Sequence, residues 1–87
     1  MAYTVEMSDR ARQAFERLDK AAAQRINAKL NEVSHSSDPF QYVKRLTGIT
    51  LFSLRGGDYR ILMDIKRDVL VILVVRVGHR RDIYKTD

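Results

Sequence analysis

One stretch of the sequence decides the fold: Leu54-Arg55-Gly56-Gly57-Asp58-Tyr59-Arg60-Ile61-Leu62. Gly56, Gly57 and Asp58 predict a tight turn, because glycine adopts positive φ angles at little steric cost. Beyond the turn, apolar and polar side chains alternate, as they do in a strand with two different faces. One face receives Tyr59, Ile61, Met63 and Ile65, and the other receives Arg60, Leu62 and Asp64. The stretch therefore predicts a β-hairpin with one apolar face and one face that carries Arg60.

Strands are predicted on both sides of this turn. The strand before it draws its apolar side chains from residues 49–54, beginning at Ile49. A second turn is predicted at residues 66–68. Residues 69–77 then stay apolar on both faces until Arg76, which is typical of a strand inside a sheet. The C-terminal half is thus predicted to be a three-stranded meander.

The N-terminal half predicts one short strand and two helices. Residues 3–7 alternate as a strand does, and Ser8 and Asp19 are residue types that cap helix starts. After each cap, apolar residues recur at steps of three and four, which predicts two amphipathic helices in an antiparallel hairpin. Pro39 ends this region, because it lacks a backbone donor. The segment up to Thr47 is predicted to be a loop, with one turn of helix as the alternative.

These elements predict an α+β fold of one domain, residues 1–87. An N-terminal strand and an antiparallel helical hairpin should pack on one face of a mainly antiparallel four-stranded sheet. At 87 residues the chain is too short to hold two separate cores. Residues with core spacing are Phe15, Leu18, Ile26, Leu30, Ile61, Met63 and Leu73.

The composition excludes several classes of protein. The chain has no cysteine, so it has no disulfide scaffold and no thiolate metal site. Its two histidines are far apart in sequence, and neither a metal site nor a cofactor is predicted. The longest apolar run, residues 69–75, is far below the roughly 20 residues of a membrane span. The N-terminus carries acidic residues rather than a signal peptide, so we expect a cytoplasmic protein.

Basic residues are expected to gather at one end of the sheet. The net charge of +5 is a weak indication of a polyanionic partner. Antiparallel geometry, however, places the turn at 56–58 and the end of the last strand at the same edge. Arg55, Arg60, Arg80 and Arg81 should therefore lie within reach of one another, where guanidinium groups could grip phosphate. The alternative is that they are solvated edge residues that prevent sheet pairing.

A second motif follows the last strand: Val77-Gly78-His79-Arg80-Arg81-Asp82-Ile83-Tyr84. Together with the first motif, and in this order, it resembles the RelE/ParE superfamily of toxins from type II toxin–antitoxin systems. The resemblance implies the α+β fold described above and a cognate antitoxin protein as partner. In the RelE branch it also implies a ribosome-dependent endoribonuclease, an mRNA interferase, that cuts mRNA by attack of the ribose 2′-hydroxyl. In the ParE branch it implies a toxin that inhibits DNA gyrase and cuts no RNA.

The resemblance also implies which residues form the site. Arg60 and Arg80 match arginines that the family uses to hold the phosphate. Tyr84 matches a C-terminal tyrosine, which is a catalytic candidate as a base; the alternatives are that it stacks on an RNA base or packs the C-terminal tail. His79 is a candidate base, because histidine exchanges protons readily near neutral pH. We further expect four residues to bind RNA: Arg55, Arg81, Lys85 and Lys44.

The chain departs from the nuclease pattern on the strand before the glycine turn. Where the family often has two lysines, this sequence has Leu51 and Ser53. Lys44, Lys85 or His79 would have to supply the missing proton-transfer group. Three hypotheses follow: an mRNA endoribonuclease, a ParE-like gyrase inhibitor that the missing lysines favour, and a weakened toxin that serves as an antitoxin-binding module. In each case we expect the antitoxin to cover an apolar groove near the basic residues.

Overall fold

The computed structural model describes residues 2–83, which form two α-helices, one 3₁₀ helix and five strands. In chain order these are β1 (Thr4–Met7), α1 (Asp9–Glu16), α2 (Lys20–Ser34), the 3₁₀ helix (Pro39–Tyr42), β2 (Val43–Arg45), β3 (Phe52–Gly56), β4 (Tyr59–Lys66) and β5 (Val71–His79). The predicted α+β fold is confirmed. Among residues 2–83, no helix is long and apolar enough to cross a membrane.

The strands form one sheet in the order β1-β5-β4-β3-β2. β1 runs parallel to β5, and every other neighbouring pair is antiparallel. The predicted count of four strands is wrong, because Val43–Arg45 forms a fifth strand where the sequence predicted a loop. This strand is short and carries two charged residues, Lys44 and Arg45, so it shows no apolar alternation. β2 forms by pairing with the edge of β3. Without β2, the backbone N–H and C=O groups on that edge of β3 would be exposed.

Both helices begin at the predicted caps. The Ser8 hydroxyl accepts a hydrogen bond from the Ala11 N–H at 3.1 Å, and the Asp19 carboxylate accepts one from the Ala22 N–H at 2.7 Å. Each bond satisfies a backbone donor that has no partner within the first helical turn. The helices are joined by residues 17–19 and cover one face of the sheet.

The core lies between the helices and that covered face. Its buried members come from both helices and from three strands: Ala11, Ile26, Leu30, Val33, Leu54, Ile61, Met63, Ile65, Ile72, Val74 and Val77. The prediction that Leu73 belongs to the core is wrong. Leu73 pairs with Asp64 and is only half-buried, because it lies on the face away from the helices. We call that second face the open face.

Two hairpins join the three strands β2, β3 and β4. Gly57, with φ of 63°, and Asp58 form the turn between β3 and β4. The β2–β3 hairpin has a longer loop, residues 46–51, closed by a 3.0 Å bond from the Leu46 N–H to the Leu51 carbonyl. The sequence predicted that this strand starts at Ile49. In the structure β3 starts at Phe52, because residues 46–51 form the loop.

Candidate nucleic-acid interface

Strand register brings basic side chains together on the open face. Residues directly opposite each other in an antiparallel pair share a face. Arg55 of β3 lies opposite Arg60 of β4, and Lys44 of β2 lies opposite Ser53 of β3. Since Ser53 and Arg55 are two positions apart on one strand, all four residues point to the open face.

These residues line a cavity of about 550 Å³, which we call the basic concavity. Its lining consists of Lys44, Arg45, Leu46, Thr47, Ser53, Arg55 and Arg60. The lining includes four cations and no carboxylate among the residues that the structure describes. Such a surface attracts polyanions, and guanidinium groups in it can bind phosphate oxygens through pairs of N–H donors.

Arg60 is held in place by the backbone of its own hairpin. One guanidinium nitrogen, Nη1, donates to the carbonyl oxygens of Gly57 and Tyr59, each at 3.0 Å. A guanidinium carries further N–H donors on its other nitrogens. The group can therefore bind an anion while its orientation is fixed.

The ion pairs among the described residues lie outside the basic concavity. Asp9 pairs with Arg12 at 2.8 Å and Lys29 with Glu32 at 3.3 Å, both on the helices. Within residues 2–83, neither of these pairs engages a cation of the basic concavity. The positive charge there is not neutralised by a salt bridge of the described chain.

Arg80 and Arg81 lie at the tip of the β3–β4 hairpin. The Arg80 N–H donates to the Asp58 carbonyl at 2.8 Å, which ties the segment after β5 to this turn. Both side chains are exposed, and neither lines the basic concavity. The structure thus brings the Arg80 backbone beside the hairpin that carries Arg55 and Arg60. A joint role of the Arg80 and Arg81 side chains with these two arginines stays a prediction.

A close contact fixes the same segment to the sheet. Ile83 is buried, and its Cδ1 lies 3.1 Å from the position that a Cβ on residue 78 would occupy. Gly78 pairs with Arg60 and therefore lies on the open face. Glycine at this position allows Ile83 to pack close to the strand beside Arg60.

His79 lies on the other side of the sheet. It pairs with Tyr59, and their rings meet edge to face with centroids 5.7 Å apart. Tyr59 packs against the core, so both rings are on the face that the helices cover. The His79 Nδ1 accepts a 3.2 Å hydrogen bond from the Arg81 N–H. The structure does not bring His79 into the basic concavity, and its proposed role as a base stays a prediction.

Three lining residues were not predicted from the sequence: Arg45, Leu46 and Thr47. They belong to β2 and to the start of the loop that follows it, a segment that was predicted to lack a strand. The signal for them in the sequence was the pair of basic residues Lys44-Arg45 in this predicted loop. Two predicted residues, Tyr84 and Lys85, lie outside the described residues.

Comparison with known proteins places this geometry in a family. The family model for the ParE toxin of type II toxin–antitoxin systems, parDE, matches residues 5–84. No curated protein sequence matches the chain significantly.

Several solved structures of similar fold are toxin–antitoxin complexes. The RelBE2 complex of Mycobacterium tuberculosis aligns with a TM-score of 0.83 and 26% identity, over 92% of this chain and 100% of that chain. The intact E. coli RelBE complex aligns with a TM-score of 0.74 and 25% identity, over 90% of this chain and 96% of that chain. The archaeal RelE–RelB complex of Pyrococcus horikoshii OT3, with a TM-score of 0.76 and 24% identity, covers 94% and 99% and shows the shared fold alone.

Proposed function

The chain belongs to the ParE toxin family, within the RelE/ParE superfamily, and from this premise we propose that it is a ribosome-dependent endoribonuclease that cuts mRNA. It is a RelE-like toxin of a type II toxin–antitoxin system. Membership leaves its target open, because one fold can support different activities.

One observation supports the nuclease more than any other. The basic concavity joins Lys44, Arg55 and Arg60 on an open sheet face with no carboxylate among its described lining residues. A site of this kind suits a phosphodiester that gains negative charge during reaction. Fixed donors stabilise such developing charge better than mobile water does.

In the proposed reaction, the ribose 2′-oxygen attacks the adjoining phosphorus and the bond from phosphorus to the 5′-oxygen breaks. The products are a 2′,3′-cyclic phosphate and a 5′-hydroxyl end. Arg60 and Arg80 hold the phosphate oxygens, and Arg55 with Lys44 contacts the RNA backbone. Arginine suits this role because its guanidinium stays protonated and presents donors in a fixed plane.

The proposed partners are the ribosome with its mRNA and a cognate antitoxin. The antitoxin is supported by the similar folds found in complexes of RelE with RelB. We place the protein in the cytoplasm, where ribosomes translate, and treat residues 1–87 as one toxin domain. Growth arrest through blocked translation is the expected consequence of its release from the antitoxin.

Gyrase inhibition is the second candidate, and two observations favour it. The matching family model is that of ParE toxins. In addition, Leu51 and Ser53 occupy positions where nuclease relatives often carry lysines, and Ser53 lies inside the basic concavity. In this case the cations would bind a protein or DNA surface and no RNA bond would break.

Induction of the protein in growing cells separates the candidates. If the protein is a nuclease, we expect new breaks in transcripts within minutes of induction. Gyrase-linked DNA breaks should then stay at the level of uninduced cells. Intact transcripts together with trapped gyrase–DNA complexes would support the second candidate instead. Neither effect, in a protein that still binds its antitoxin, would identify a weakened toxin kept as a binding module.

A further inference from the structure

The basic concavity has a restricted set of groups that can move a proton. Its described lining has three arginines, one lysine, a serine, a threonine and a leucine. Arginine is not deprotonated in proteins, and hydroxyl groups are poor acids. Lys44 is therefore the side chain in this lining that can both give up a proton and regain one from water.

Lys44 is also close enough to act where the arginines act. It lies directly opposite Ser53, and Arg55 is two positions further along the same strand. Lys44 and Arg55 are thus diagonal neighbours, a relation that places the backbones about 7–8 Å apart and within reach of long side chains. Arg60 lies directly opposite Arg55. A phosphate bound at Arg60 would therefore lie within reach of the Lys44 ammonium group.

We propose that Lys44 is a catalytic residue that protonates the leaving 5′-oxygen, an inference that rests on the proposed mRNA cleavage. The 2′-oxygen forms a bond to phosphorus and releases its proton to solvent water. The bond between phosphorus and the 5′-oxygen breaks, and that oxygen takes a proton from the Lys44 Nζ. The neutral amine then recovers a proton from water, so the enzyme returns to its starting state.

This assignment explains how a chain with Leu51 and Ser53 on β3 can still transfer protons. The lysine reaches the open face from β2, the next strand, at the position opposite Ser53. In this proposal β2 supplies the proton donor, Lys44, in addition to covering the edge of β3.

A sulfur-substituted mRNA tests the role of Lys44 directly. The probe is a ribosome-bound mRNA whose scissile linkage carries sulfur in place of the bridging 5′-oxygen. A thiolate leaves without protonation, so a missing acid no longer slows the reaction. Single-turnover cleavage by Lys44→Ala should fall roughly 100-fold or more on the oxygen mRNA and by only a few-fold on the sulfur mRNA.

Three controls make the outcome specific. Lys44→Arg keeps the charge but lacks a usable proton, so it should show the same loss on the oxygen mRNA. Arg60→Ala should be slow on both mRNAs, since it removes phosphate binding. Lys66→Ala, which changes an exposed lysine at the far end of β4, should behave as the unmodified protein does. Circular dichroism spectra verify that each variant is folded.

The proposal is overturned if Lys44→Ala is equally slow on both mRNAs, or if Lys44→Arg restores the full rate. Either result, with normal cleavage by the unmodified protein, leaves the proposed nuclease function intact. If the unmodified protein cuts neither mRNA, the proposed function and this inference are both contradicted.

Discussion

Arg60 has a structural role in the β3–β4 hairpin and a proposed role in binding phosphate. Its guanidinium donates to the carbonyls of Gly57 and Tyr59, while its position opposite Arg55 brings a second guanidinium to the same spot. Two neighbouring cations repel each other, and the described chain offers no carboxylate in the lining to offset this. Such an arrangement is stabilised by binding an anion.

Replacement of Arg60 by alanine should abolish toxicity and leave the fold intact. The two hydrogen bonds that are lost are partly exposed, so the free energy of unfolding should fall by only about 1 kcal/mol. Growth after induction and a thermal melt measure the two effects. Arg67→Ala, which removes an exposed arginine stacked on Phe40 at 5.5 Å, is the matched control and should stay toxic. Full growth arrest by Arg60→Ala would show that the site is assigned wrongly.

Individual site residues could be predicted from the sequence to different degrees. The glycine turn predicted that Arg55 and Arg60 lie near each other. Their direct pairing was not predicted, because the turn was expected at 56–58 and is formed by Gly57 and Asp58. The side of the sheet on which His79 lies did not follow. A register shift at Leu62 and Met63 changes which side chains of β5 lie on each face of the sheet. The sequence contains no pattern that predicts this shift.

At the level of elements, short-range signals predicted most of the structure and failed at β2. Caps at Ser8 and Asp19 and the glycine turn at 57 act within a few residues, so the sequence around them suffices. β2 forms by pairing with β3 across the loop of residues 46–51, and Val43 is its apolar contact with the core. Lys44 was predicted from the sequence, but Arg45 could not be assigned to the site without the sheet.

The turn glycine of the β3–β4 hairpin can be tested by a matched pair of substitutions. Gly57→Ala should lower the free energy of unfolding by about 1–2 kcal/mol, because residue 57 has φ of 63° and a side chain there is strained. A Cβ would also meet the Arg25 guanidinium at 2.8 Å, although that flexible group can move. Gly56→Ala, whose Cβ would make ordinary contacts at 3.7 Å, should cost less. Chemical denaturation measures both, and equal losses would contradict this account of the turn.

The packing of Ile83 on Gly78 gives a second prediction for an element, the turn after β5. Gly78→Val should push Ile83 off the strand and destabilise the protein by roughly 1–3 kcal/mol. The Ile83 amide, which donates to the His79 carbonyl at 3.0 Å, should exchange its hydrogen faster.

A double substitution checks that this contact is the cause. In an Ile83→Ala background, Gly78→Val should cost clearly less than it does alone, because the clashing side chain is gone. An additive effect of the two substitutions would mean that they act independently.

At the scale of the whole molecule, the core packs on one face of the sheet, and the helices do not cover the other face. The core cluster joins α1 and α2 to β3, β4 and β5 on the covered face, and the basic concavity lies on the reverse. Changes in the concavity should therefore affect function with little effect on stability, and changes in the core should do the opposite.

Ile26→Ala tests the second half of this statement. Ile26 is fully buried in α2, so its truncation should lower the free energy of unfolding by about 2–5 kcal/mol. The total free energy of unfolding of a native protein is typically about 5–15 kcal/mol. The expected loss is a large share of this total. Ile49→Ala, at a side chain that is 49% exposed, should change the stability little. Urea denaturation compares the two, and similar losses would contradict the assigned core.

The fold and the family could be predicted from the sequence because two ordered motifs and the helical pattern span nearly the whole chain. The activity could not be predicted in the same way. RelE-like and ParE-like toxins share the fold, and the residues that would separate them, Leu51 and Ser53, differ from the nuclease pattern. Only the sheet register revealed that Lys44 stands across from Ser53.

Cleavage of mRNA on purified ribosomes tests the central claim most directly. The ends of an mRNA bound in translating ribosomes are mapped after addition of the purified protein or of Arg60→Ala. We predict breaks that bear a 2′,3′-cyclic phosphate and a 5′-hydroxyl, that require the ribosome, and that are absent with the variant. Intact mRNA with the unmodified protein, under conditions where it arrests growth, would contradict the claim.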